Sequence, residues 1–260
     1  MANKIKYVYL LLALSLWTGW TPETVVADES RPLHIFIDPA FGGKEKGPVI
    51  NQKFVAKDLT LSIGRQLKTL LELKGYLVTL SREGDQFVSP DERLTQAIAK
   101  NSDLFISIKI NRQRYNCAQL YYAKQPQVTT ATKEGGSIKD LDESLRNISE
   151  NLERDNLTKE SLKLAEIVSN KLKDNKTQIC DGVLTKKDYI LENTRCPTIV
   201  IDFGASDLNS ASLYIVDTSF MDRITKAIAG GVEKYLETAI PQFSRQPIHQ
   251  PEMPIPGPPK

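Results

Sequence analysis

An α/β domain with a mostly parallel central sheet flanked by helices is predicted by three features of this chain. Short apolar, β-branched runs alternate with amphipathic stretches of helical spacing. Glycine- or proline-containing turns punctuate the joins between them. The 260 residues, of ordinary composition, suffice to bury one sizeable core, so a single globular domain is expected.

The elements follow in order. Leu33 to Ile37 is a short apolar run ending at Asp38-Pro39, as expected for a buried strand, and a glycine-rich turn follows it. From Asp58 onward, Leu61, Ile63, Leu67, Leu70, Leu71 and Leu73 fall largely on helical spacing, and Gly75 stands where a terminating glycine is expected. Tyr76 to Leu80 is the next strand. Ser89-Pro90-Asp91-Glu92 offers an N-cap serine, a proline at the first helical position and a capping glutamate, which starts a helix running to about Lys100.

Leu104 to Ile108 is a third buried strand and Gln119 to Tyr122 a fourth. After a polar stretch from Thr129 to Gly136, Ile138 to Asp174 reads as two charged amphipathic helices, so residues 129–174 are expected to form a helical insertion or cover. Tyr189 to Leu191 and Thr198 to Ile201 are apolar and β-branched enough for strands. Phe220 to Ala239 has a long helical pattern, which Gly230-Gly231 weakens by roughly 1 kcal/mol per glycine.

The two ends read differently from the middle. Residues 1–27 have a basic start at Lys4 and Lys6, an apolar run from Tyr7 to Trp17, and Val25-Val26-Ala27 before Asp28, the pattern of a cleavable signal peptide. That run is shorter than the roughly 20 residues a spanning helix needs, so no stable membrane span is expected once it is removed. The domain is then expected over residues 28–240, and the proline-rich segment 241–260 as an extended or disordered tail. An exported protein of the periplasm or cell envelope is the implied setting.

Net charge is only +2, which implies no nucleic acid or other strongly acidic partner. Both tryptophans, Trp17 and Trp20, lie in the leader, so the exported part lacks a tryptophan platform for stacking sugar rings. In an oxidising compartment Cys117, Cys180 and Cys196 allow one disulfide and one thiol, and sequence leaves the pairing open.

The run Ile37-Asp38-Pro39-Ala40-Phe41-Gly42-Gly43-Lys44-Glu45-Lys46-Gly47 resembles the "DPGHGG-x-D-x-G" start of the N-acetylmuramoyl-L-alanine amidases, zinc-dependent enzymes of peptidoglycan. Val55-Ala56-Lys57-Asp58-Leu59 is similar to the family's "EKD-x-x-L", and Phe105-Ile106-Ser107-Ile108-Lys109-Ile110-Asn111 to its "FISIHxN". Ser81-Arg82, Asp85, Arg93, Ala97 and Asp103 fit the run between them. Pro197 to Gly204 resembles "PAVLVExG", whose glutamate is the family's catalytic acid or base, with Asp202 keeping the charge on a shorter arm. The resemblance covers about residues 32 to 238 and implies the phosphorylase/hydrolase-like amidase fold.

It also implies where zinc would sit, and there the residues change. The family holds zinc with two histidines and a glutamate, leaving a position for a water that attacks an amide. At those positions this chain has Phe41, Ala56 and Lys109, two without a donor atom and one a cation. The only histidines, His34 and His249, are not placed to substitute. No metal and no other cofactor is therefore expected, and no catalytic residue, with Asp202 left at the catalytic glutamate's position. A Lys109–Asp202 salt bridge is expected in place of the metal, in a groove formed by Glu45, Lys109, Asn111 and Asp202.

The favoured reading is a pseudo-amidase of the envelope that binds peptidoglycan stem peptide or an envelope protein. One alternative is an active N-acetylmuramoyl-L-alanine amidase that retains zinc through substitute groups such as Glu45, with Asp202 as base. Another is a scaffold that docks an envelope assembly through the helices at 138–174 and the tail.

Overall fold

Alternation along the central strands decides the layers. In β5 (Leu104–Arg112), Ile106, Ile108 and Ile110 point to one face of the sheet, and Phe105, Ser107, Lys109 and Asn111 to the other. β1 (His34–Pro39) repeats this with Ile35 and Ile37 against Phe36 and Asp38, and β8 (Thr198–Ala205) with Ile199, Ile201 and Phe203 against Val200 and Asp202. One face is thus wholly apolar. The other is apolar where the strands begin and polar where they end.

The computed structural model describes residues 31–50, 53–112, 117–124, 138–205 and 215–243, with backbone alone at 138–145 and 240–243. β4 (Leu77–Leu80), β6 (Ala118–Ala123) and β7 (Ile179–Lys186) join β1, β5 and β8 in a six-stranded sheet of order β4-β1-β5-β8-β6-β7. β4, β1, β5 and β8 are mutually parallel, whereas β6 runs antiparallel to β8 and carries β7 parallel to itself. A small antiparallel pair, β2 (Val49–Ile50) and β3 (Phe54–Val55), precedes the first helix.

The apolar face packs against α1 (Ala56–Glu72), α3 (Ile138–Asp174) and α5 (Thr218–Phe243), which together enclose the main core. The opposite face is covered where its strands begin by α2 (Pro90–Ala99) and the short α4 (Tyr189–Asn193), around the stacked pair Phe36 and Phe105. The apolar side chains therefore require helices on both faces, and the polar strand ends stay open for chemistry. Gly231 has a packing role: a Cβ there would lie 2.9 Å from Val168 Cα, so its absence lets α5 approach α3.

α2 begins with the expected capping box, Ser89 accepting from the Glu92 amide and Glu92 from the Ser89 amide. Four expectations are corrected. Ile138–Asp174 is one continuous 37-residue helix and not two, since nothing in that run breaks helical geometry. Tyr189 to Leu191 is helical and not a strand, because the Asp188 carboxylate accepts from the Ile190 amide at 3.0 Å and starts a turn. β7 and the β2–β3 pair carried no legible strand signal, β7 being only half apolar. Residues 241–243, expected in the extended tail, instead continue the helix Thr218–Phe243, since one proline near a helix end does not stop it. The expected leader, the polar stretch 129–137 and the expected tail beyond residue 243 lie outside the described residues, and no described helix is long and apolar enough to cross a membrane.

Cys117, just before β6, and Cys180, in β7, form a disulfide across a separation of 63 residues, and Cys196 is the remaining thiol. The bond ties the two reversed strands at the sheet's edge. Replacing Cys117 and Cys180 with serine should lower stability by about 4 kcal/mol, the chain-entropy value for a loop of this size. Urea unfolding of the oxidised protein and the double variant measures this; superimposable curves would contradict it.

Candidate functional site

The site is built outward from Asp38. This β1 carboxylate is almost fully buried and accepts from Ser81 Oγ at 2.7 Å, from Ser107 Oγ at 2.9 Å and from the Arg93 guanidinium in a close ion pair. It thereby fixes the ends of β1, β4 and β5 to α2. Arg82, fully buried beside it, donates to the carbonyls of Pro39, Ala40, Gly84 and Lys57 at 2.7–3.1 Å. Backbone groups that would otherwise be orphaned at the strand ends are satisfied by one guanidinium.

The turn that leaves β1 is held in a demanding shape. Phe41 is in the left-handed region at φ 68°, its carbonyl accepting from Arg93 at 3.3 Å. Farther along, the Gly43 amide donates to Asp85 at 2.7 Å, and Lys57 forms a close ion pair with the same carboxylate. Gly47, at φ 66°, passes so near the Phe41 ring and Ala56 that a Cβ on it would lie 2.9 Å from both. Phe41 and Ala56 are therefore neighbours, with the ring packed into the space between turn and helix start.

At the ends of β5 and β8, Lys109 and Asp202 face each other in parallel register. The expected bridge between them does not form. Lys109 Nζ instead pairs with Asp188 Oδ2 at 2.9 Å, and Asp202 Oδ2 accepts from Asn111 Nδ2 at 2.7 Å. Asp188 wins because it already stands at the start of α4 with one oxygen on the Ile190 amide and the other free for the ammonium. Asp202 Oδ1 is buried and has no hydrogen-bond partner among the described residues.

The two carboxylates are shifted in opposite directions. Burial pushes Asp202 above the ordinary carboxylate range, against the opposing pull of the Asn111 hydrogen bond and the charges of Lys186 and Lys109. Burial also acts on Asp188, but there the hydrogen bond and charge of Lys109 outweigh it and hold the carboxyl below its usual range.

Of the residues expected to form the groove, the structure brings Lys109, Asn111 and Asp202 together. Glu45 stands apart on the exposed tip of the turn, where its backbone bridges to Gly42. His34 is buried, with ring nitrogens on Thr79 at 2.9 Å and Ser102 at 3.1 Å, and His249 lies outside the described residues. Asp188 and Lys186 were missed. Asp188 had a legible signal, since an aspartate just before an apolar run is a helix start.

Comparison with known proteins fits this arrangement. Residues 35–234 match the family described as N-acetylmuramoyl-L-alanine amidase, and the chain belongs to that family. It is 26% identical over 204 residues to N-acetylmuramoyl-L-alanine amidase LytC of Bacillus subtilis (strain 168), covering 77% of this chain and 35% of the relative. It is 25% identical over 234 residues to N-acetylmuramoyl-L-alanine amidase AmiC of Escherichia coli O6:H1, covering 82% of this chain and 55% of the relative. The chain thus spans only about a third to about half of these relatives. A crystal structure of N-acetylmuramoyl-L-alanine amidase from Clostridium difficile 630 superposes with a TM-score of 0.61 at 22% identity, over 80% of this chain and 99% of that one, and shows the same fold.

The family's zinc can be tested against the side chains at the three corresponding positions. A phenyl ring, a methyl group and an ammonium already paired with a carboxylate do not supply a donor set for a dication. Among the described residues, no cluster of three histidine, cysteine, aspartate or glutamate side chains fits a metal either. The residues present do not fit the group.

The opposed shifts give pH effects of opposite sign. Asp188 binds its proton less readily folded than unfolded, so its stabilisation is present above the unfolded value of about 3.9 and is lost as pH falls through the lower folded value. Asp202 binds its proton more readily when folded, so stability declines as pH rises from about 3.9 through the raised folded value. Asp188→Asn should therefore be destabilised at neutral pH, with the deficit shrinking on acidification. Asp202→Asn should match or exceed the parent at neutral pH. Thermal unfolding across pH 3 to 8 reads both, and pH profiles of the same sign would refute the assignment.

Proposed function

We infer that this chain is a non-hydrolytic member of the amidase family that works in the cell envelope by binding peptidoglycan stem peptide in the cleft at the ends of β5 and β8. The observation that carries the reading is the Lys109–Asp188 pair, 22% and 14% exposed, standing where a metal-centred site would need a neutral ligand. An ammonium there repels a dication and suits a peptide carboxylate, which can displace Asp188. Asn111 and the free oxygen of Asp202 add polar groups that suit peptide amides. The signal-peptide pattern at residues 1–27 and the Cys117–Cys180 disulfide support export.

One observation favours a second reading. Asp202 combines a raised proton affinity with an unpartnered oxygen, properties that suit a general acid, so an active amidase retaining metal through other groups is the competing function.

Metal analysis of the purified protein, with a peptide-release assay on peptidoglycan, separates the two. The binding reading expects far less than stoichiometric zinc and no release; stoichiometric zinc with release establishes the enzyme. Retention on insoluble peptidoglycan should drop about tenfold in Lys109→Ala, the effect of removing one charge-assisted contact. Unchanged retention would take the cleft out of the mechanism and favour an envelope protein as the partner.

A further inference from the structure

The cleft is not the only concave surface. A cavity of about 470 Å³ opens beneath the start of β8, between the middle of α3, the end of β6 and the residues of α4. Cys196, just ahead of Thr198, lines it, and Ala123 at the end of β6 lies alongside that first part of β8. Asp202 and Asn111 sit farther along their strands, toward the opposite end of the sheet. The volume falls within the range of small-molecule sites, roughly 300–1,000 Å³.

Its lining is chemically lopsided. Lys124 from the end of β6, Arg154 from α3 and Lys187 from the β7–α4 junction all border the cavity, against the single acid Glu192. No ion pair ties up any of these three cations among the described residues, although lysines and acids elsewhere on this surface pair readily, as Lys159 does with Asp155. Three exposed cations from three separate elements therefore border one space, with an excess of positive charge around it.

A second observation lies deeper. Thr158 lines the same cavity, and its hydroxyl has no hydrogen-bond partner among the described residues and is open to solvent there. Its neighbour Ser161, one turn along, is fully used, donating to Leu157 and accepting from the Thr198 amide. A hydroxyl that the protein does not engage is free to donate to a ligand that enters the cavity. The Cys196 thiol, pushed up to about 12 by burial, adds a neutral wall and not a competing anion.

We propose that this cavity binds a phosphate group carried on a small organic ligand, with Arg154, Lys124 and Lys187 neutralising the oxyanion and the Thr158 hydroxyl donating to it. The excess of positive charge suits a phosphate monoester better than a single carboxylate, and guanidinium and ammonium groups are its usual protein partners. The cavity has room for the organic part against Leu157 and Leu191. This site is independent of peptidoglycan binding in the cleft.

Titration calorimetry of the full chain with glycerol 3-phosphate, inorganic phosphate and glycerate tests it. Glycerol 3-phosphate should bind saturably with one site, phosphate more weakly, and glycerate weakest. Arg154→Gln and Lys187→Gln should each weaken glycerol 3-phosphate about tenfold, the scale of one charge-assisted hydrogen bond. Thr158→Val, which keeps the shape, should weaken it several-fold with thermal stability unchanged, while Lys109→Ala should leave it untouched. Absence of saturable binding, equal affinity for glycerate, or full affinity in the Arg154→Gln, Lys187→Gln double variant would each overturn the proposal.

Discussion

The buried carboxylate of Asp38 is the constraint from which the rest of the site follows. An ionised carboxylate with almost no solvent contact survives only if its lone pairs are met, and here two hydroxyls and a guanidinium from three different segments meet them. Those partners come from the end of β4, from β5 and from α2, so satisfying one charge sets the relative height of three strand ends. The β1 turn therefore springs from a fixed point. Arg82 completes the frame by binding the carbonyls of Pro39 and Ala40, which prevents the turn from relaxing away from α1.

From that fixed point the consequences at the cleft are local. A turn that starts at Pro39 and must pass over the beginning of α1 brings residue 41 against Gly47 and Ala56. With Phe41 there, the methyl group of Ala56 makes room for the ring, so the two side chains share one space as a large and a small partner. Lys109 raises a different problem, since an ammonium at a polar strand end needs an anion. Asp202 lies opposite in register but is nearly fully buried and held by Asn111, whereas the more accessible Asp188, anchored at the head of α4, turns its second oxygen to the ammonium. The ammonium at the end of β5 is thus balanced here through a helix cap.

How much of this was legible in the sequence follows from the range of the interactions. The Ser89–Glu92 capping box and the Ile106, Ile108, Ile110 alternation depend on residues within a few positions of one another, and both stood plainly in the chain. The Asp38 network was visible only as separate matches to the resemblance, since nothing in the spacing of Ser81, Arg93 and Ser107 says that they converge on one carboxylate. The Lys109 partner was misread for a specific reason: Tyr189-Ile190-Leu191 looks like a strand by composition, so Asp188 was not seen as a helix start. β7, with its glycine at 182 and no regular alternation of exposure, carries a strand pattern too weak to stand out without its β6 neighbour and the disulfide.

The two polar regions of the molecule meet in a single short element. Lys187 and Asp188 are adjacent, yet Asp188 reaches Lys109 at the ends of the central strands while Lys187 borders the cavity beneath β8. α4 hangs between them, its first amide held by Asp188 and its last residues forming part of the cavity wall. Its packing is slight, with Ile190 in the smaller core and Leu191 buried beside it, so the Asp188 contacts are a large share of what orients it. Of the two Asp188 oxygens, one holds the Ile190 amide and the other Lys109, so the helix start keeps its own contact when Lys109 is engaged elsewhere.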